Sequence, residues 1–269
     1  MHKSLWVSAL AIVLASVGST GAAAGQATDD IRSPQPPAGN PGAGAAGPIW
    51  RGPQALLLDS GPLVTHPGGG PAGADASRVQ NSSFAMITLG FTASTAGPLR
   101  VTDDFTVPAA GWGVSTITFF AYQTGATACT LTDVRVQIWD GPPNAGGTIV
   151  FGDTTTNRLA SCALSNIYRD TETTVANDQR PIQAATATVA TNLAAGTYWV
   201  DYQLGGTLAS GPFVPPITIL GQTTTGNGLQ WNGTAWANLT DTGSATQQGL
   251  RFVIDGAVLP VELQKFSID

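Results

Sequence analysis

Few side chains in this sequence could do chemistry, and the most promising are aromatic. Trp139 follows Arg135 and Gln137, Trp199 precedes Asp201 and Gln203, and Trp231 and Trp236 stand close together. A sugar ring offers an apolar C–H face that suits a flat indole, and polar neighbours can fix its orientation. Trp139, Trp199, Asp201, Trp231 and Trp236 are therefore candidate carbohydrate-binding residues, with core filling as the alternative role for each tryptophan. Adjacent Asp103 and Asp104 are candidate Ca²⁺ ligands, because a hard cation takes carboxylate and carbonyl oxygens. Strand alternation points them to opposite faces, and one of them could instead cap a turn. No other cofactor is indicated.

Catalytic residue types are scarce. A Ser-His-Asp set needs an imidazole beside the serine, yet the histidines are only His2 and His66, the latter in the turn-like run His66-Pro67-Gly68-Gly69-Gly70. No G-x-S-x-G elbow occurs. Glycosidases set two carboxylates across a cleft, and the glutamates are Glu172, in a loop-like stretch, and Glu262, near the end. The cysteines are Cys129 and Cys162. In an oxidising compartment such a pair reads as one disulfide, worth about 3–4 kcal/mol in the chain-entropy view; two buried thiols are the alternative. Zinc is excluded because there is no C-x-x-C pair and only His66 would remain in the mature chain.

The compartment is read from the start of the chain. His2 and Lys3 lead into an apolar run from Leu5 to Val17, and Ala22-Ala23-Ala24 offers a cleavage site, so residues 1–24 read as a secretory signal. The run is shorter than a spanning helix needs, and no later segment reaches that length, so the mature chain is expected to be exported without a membrane span. Residues 25–53 read as a flexible linker, its stretch from Pro34 to Pro48 being rich in Gly and Pro.

The rest of the 269 residues must supply the elements that position these groups. Charged residues are 10%, far below the roughly 25% usual for globular chains, with a net charge of −6. So few cations exclude a phosphate-tracking nucleic-acid surface. The 33 glycines and abundant threonine argue against helices. Period-2 alternation predicts half-buried antiparallel strands: Val134, Val136 and Ile138 oppose Arg135, Gln137 and Trp139, and Val200, Tyr202 and Leu204 oppose Trp199, Asp201 and Gln203. Further strands are predicted over 56–58, 85–91, 99–107, 113–122, 148–152, 184–193, 217–220, 229–231, 234–238, 250–255 and 261–268. Asn232-Gly233 suits a type I′ turn that would set Trp231 opposite Thr234. The expected fold is an all-β antiparallel sandwich, jelly-roll-like, over residues 54–256, with 257–269 as a tail or edge strand.

Two segments carry a resemblance. Asp103-Asp104-Phe105-Thr106-Val107-Pro108 with Gly111-Trp112, and Ile138-Trp139-Asp140-Gly141-Pro142-Pro143, resemble the "DDFTVP…GW" and "IWDGxP" strands of secreted bacterial β-sandwich domains. Leu259-Pro260-Val261-Glu262-Leu263 is similar to the linker that often precedes sorting domains in such proteins. The resemblance implies an extracellular jelly-roll-like fold and no reaction. The leading expectation is thus a secreted, non-catalytic protein of the cell surface or matrix, with polysaccharide or other surface proteins as partners. A self-assembling surface or fibre protein is the alternative, and a calcium-dependent hydrolase comes last.

Overall fold

A computed structural model describes residues 47–53 and 55–260. The signal segment 1–24, most of the linker and the strand read over 261–268 lie outside the described residues. In chain order the strands are β1 (Leu56–Asp59), β2 (Asp75–Val79), β3 (Phe91–Thr92), β4 (Arg100–Val107), β5 (Trp112–Ala121), β6 (Leu131–Trp139), β7 (Ile149–Gly152) and β8 (Leu159–Thr171). There follow β9 (Pro181–Leu193), β10 (Gly196–Gly206), β11 (Phe213–Val214), β12 (Leu229–Trp231), β13 (Trp236–Asn238), β14 (Thr240–Asp241), β15 (Thr246–Gln247) and β16 (Phe252–Val258). No α-helix occurs among the described residues.

Two six-stranded sheets form the sandwich. The first runs β1-β16-β5-β9-β8-β2 and the second β13-β12-β4-β10-β6-β7. Pairing within them is antiparallel except for β2 beside β8. From β4 to β6 the chain changes sheet at every strand, so contacts between the layers join distant parts of the sequence.

The alternation of β6 and β10 behaves as predicted: Val134, Val136, Ile138, Val200, Tyr202 and Leu204 all enter the core. Phe119 of the first sheet stacks on Tyr202 of the second at 4.1 Å, and Phe105 meets Phe252 edge-on at 5.9 Å. Offset and edge contacts of this kind add to the hydrophobic gain of burial. Cys129, just before β6, is disulfide-bonded to Cys162 of β8 with Cα atoms 6.0 Å apart, which ties one sheet to the other. Gln183 sits beside the bridge and accepts hydrogen bonds from the amides of Thr130 and Leu131 at 2.7 and 3.2 Å.

The sheets differ on their outer sides. The outer side of the first carries Phe120, Ile182 and Val253, which pack with Leu63, Val64 and Trp50. The amide of Trp50 bonds the carbonyl of Leu164, so the ordered edge of this sheet includes residues ahead of the boundary read at residue 54. Among the described residues no such apolar cluster lies on the outer side of β4, β10 and β6, where the candidate residues fall.

Several local expectations fail for identifiable reasons. Residues 85–91 form no strand apart from Phe91, which pairs with Val214; the amides of Ile87 and Thr88 instead bond the buried carboxylate of Asp241. Residues 217–220 form no strand either, since Thr218 and its neighbours are held by single contacts such as Thr218 N to Pro62 O. The hairpin after β12 is not a two-residue turn: Asn232 accepts the amides of Thr234 and Ala235 on its side chain, and of the two central residues only Gly233 has a positive φ, at 99°. Four loop residues result, and Trp231 pairs directly with Trp236 rather than with Thr234.

Candidate functional site

The five carbohydrate-binding candidates share the outer face of the second sheet. Trp231 pairs with Trp236 on one side and Arg100 on the other. One step along the strands, Asp201 lies between Thr102 and Gln137; beyond it, Trp199 lies between Asp104 and Trp139. Side chains two apart on a strand share a face, so these rows stack into one grid with the core residues pointing the other way. The sequence placed each of these tryptophans on a strand. What it lacked was the pairing order that joins β12, β4, β10 and β6.

The tryptophans are not equivalent. Trp199 is 7% exposed and has little ring surface to offer a ligand. Trp139, Trp231 and Trp236 are half-buried. Trp231 and Trp236 stand 5.6 Å apart with their planes tilted by 57°. Arg100 lies over both rings, its guanidinium carbon 5.4 and 5.3 Å from their centroids, in cation–π geometry. Its Nε donates to both oxygens of Asp201 at 3.1 Å.

Asp201 is therefore a positioning group rather than a solvent-facing one. Only 1% of it is exposed, and burial pushes its pKa up to about 6 against the opposing pull of Arg100. The indole N–H of Trp139 also favours the charged carboxylate, though it falls outside hydrogen-bond geometry and has no partner among the described residues. Gln203, in the next row, donates to the carbonyls of Gly97 and Leu99 at 3.1 Å and pins the loop that leads into Arg100. Arg135 is held by Asp133 at 3.0 Å. The charged and amide groups of this face are thus held by one another and by the backbone, beside partly open indoles.

Arg100 was not among the candidates read from the sequence. Its place in β4, two residues before Thr102 and four before Asp104, puts it on the outer face by alternation alone. Its role depends on β12 and β10 arriving from far along the chain, and nothing local announces that.

The two aspartates point to opposite faces of β4. Asp104 lies on the outer face, while Asp103 turns inward, where its oxygens accept the amides of Leu250 at 2.6 Å and Asp104 at 3.0 Å. Burial raises the pKa of Asp103 to about 7 in spite of these bonds. Strand alternation separates the two carboxylates, and no group of three or more His, Cys, Asp or Glu that could hold a metal ion occurs among the described residues. His66 meets the hydroxyl of Thr65 through Nδ1 at 3.0 Å. Glu172 receives the hydroxyls and amides of Ser82 and Ser83, which hold its pKa down to about 2. Both serve the turns they stand in.

No helix among the described residues is long and apolar enough to cross a membrane. No known protein family, curated protein or solved structure matches this chain.

Proposed function

We propose that this chain is an exported, non-catalytic β-sandwich protein of the cell surface or extracellular matrix, and that it binds polysaccharide on the outer face of its second sheet. One observation carries the reading. Trp139, Trp231 and Trp236 lie half-open on a single pleated face, beside the Asp201–Arg100 pair. A flat β face with several indoles suits an extended sugar chain, because successive rings can stack along it while amide and guanidinium groups meet the hydroxyls. The platform is pre-organised by buried hydrogen bonds, which lowers the entropy lost on binding.

The test is binding of the full exported chain to a polysaccharide panel, followed by Trp231→Ala and Trp236→Ala. Each substitution is expected to weaken binding about tenfold or more while leaving the melting transition in place. Indifference of the unaltered protein to every glycan removes the reading.

A second reading, self-assembly, is favoured by the edge strands. Ile149 and Val150 of β7 are 46% and 47% exposed at the border of the second sheet, and Leu56 of β1 is 58% exposed at the border of the first. Neither strand carries a lysine, arginine or proline to discourage pairing with another chain.

A further inference from the structure

The way Arg100 spends its donors narrows the ligand class. A guanidinium has five N–H groups, and burial normally commits them. Arg169 shows the committed case: fully buried, it gives Nε to Leu89 O at 2.8 Å, Nη1 to Ser77 Oγ and Thr218 Oγ1 at 2.9 and 2.8 Å, and Nη2 to Thr88 O at 3.1 Å. Arg78 and Arg251 each use Nε and Nη2 on a carboxylate. Arg100 differs. It engages Asp201 through Nε alone, its Nη1 and Nη2 meet no hydrogen-bond partner among the described residues, and its side chain stays 17% exposed.

We infer that this face selects acidic polysaccharide, the unspent guanidinium edge of Arg100 taking a uronate carboxylate while Trp231 and Trp236 receive the sugar ring. The inference rests on the polysaccharide reading above. Two parallel N–H groups match the two coplanar oxygens of a carboxylate, whereas a sugar hydroxyl uses one of them. The aromatic rings against which Arg100 lies keep water from part of the guanidinium, and Asp201 fixes its plane from behind. The rest of the face is close to neutral: Arg135 is answered by Asp133, and Asp104 lies two rows away from Arg100. Selectivity must therefore come from the fork itself rather than from a broad positive field.

Three polymers test it with the unaltered full chain: polygalacturonate, the same polymer after reduction of its carboxyl groups to alcohols, and dextran sulfate. Polygalacturonate is expected to bind about tenfold or more tighter than its reduced form, since a bidentate charge-assisted contact is lost. It should also outbind dextran sulfate. Arg100→Lys keeps the charge but not the fork and should cost most of that preference. The double variant Arg100→Gln, Asp201→Asn removes both charges together, leaves no buried carboxylate stranded, and should abolish the preference while retaining the fold. Equal binding of the reduced polymer, lost in Trp231→Ala, would overturn the inference and leave the polysaccharide reading standing. Equal binding of dextran sulfate would overturn it in favour of unspecific charge attraction. Failure of all three polymers and of the wider panel would remove both. If Arg100→Lys does not fold, the polymer comparison still decides, because it uses the unaltered protein.

Discussion

Asp103 and Asp201 stand on neighbouring strands with opposite orientations, one between the sheets and one on the outer face that carries the tryptophans. Burial is the main reason both pKa values are raised, to about 7 and about 6, from an ordinary 3.8. The sign of the linkage follows directly. Between about pH 4 and pH 7 the folded protein holds protons at these sites that the unfolded chain has released, so stability falls as pH rises through that range. Glu172 works the other way: its stabilising contacts are lost as pH falls from about 4 towards 2, and its exposure to solvent weakens that limb. The thermal midpoint should therefore decline steadily from pH 5 to pH 8 and level off above. Asp103→Asn should remove most of the slope between pH 6 and pH 8. A flat midpoint for the unaltered protein across pH 5–8 would show that neither carboxyl titrates there. The hydroxyl of Tyr202 lies in the same interior, with no hydrogen-bond partner among the described residues; its pKa is raised first by burial and then by Asp103.

At the scale of strands, legibility in the sequence followed sidedness. β4, β6 and β10 have one core-facing row and one largely polar row, and their alternation located them; β5 starts in the same way, but its outward row ends in Phe120, buried among Leu63, Ile182 and Val253. β2 and β8 were not found for a different reason. Over Ile167–Thr171 every residue of β8 is buried, and the run includes Arg169 and Asp170, so no alternation exists to detect. The same strand bulges between Leu164 and Ile167, where Asn166 adopts a φ of 61° and the period is broken. β2 is buried in the same way and contributes Arg78, paired with Asp170 at 2.7 Å. Charges inside a strand read as surface until the partner is known. The tryptophans and Asp201 were readable as residue types on strands, but Arg100 and the arrangement were not, because the register between β12, β4 and β10 arises from long-range pairing. The disulfide was readable from composition, and its consequence lies at this scale. It links the approach to β6 with β8, so Cys129→Ser with Cys162→Ser should lower unfolding free energy by about 3–4 kcal/mol in urea titrations. A variant as stable as the parent would mean that the sheets hold together without the link.

For the whole molecule, the two proposed activities make different demands on the same body. Polysaccharide binding would use the broad outer face of the second sheet, and assembly would use its borders. A charged substitution at a border should therefore separate them. If the edges pair, sedimentation of the full chain should show concentration-dependent association, and Ile149→Lys with Val150→Lys should return it to a monomer without loss of polysaccharide affinity. A monomer at every concentration would leave assembly without support. The placement of the two ends has a further consequence. The described chain enters with Trp50 against Phe120 on the outer side of the first sheet and leaves from β16 in that same sheet. A bulky group attached near Trp50 or just after β16 would therefore sit on the layer opposite the indole grid and leave that grid uncovered, as a coat hung on one side of a door leaves the other side clear.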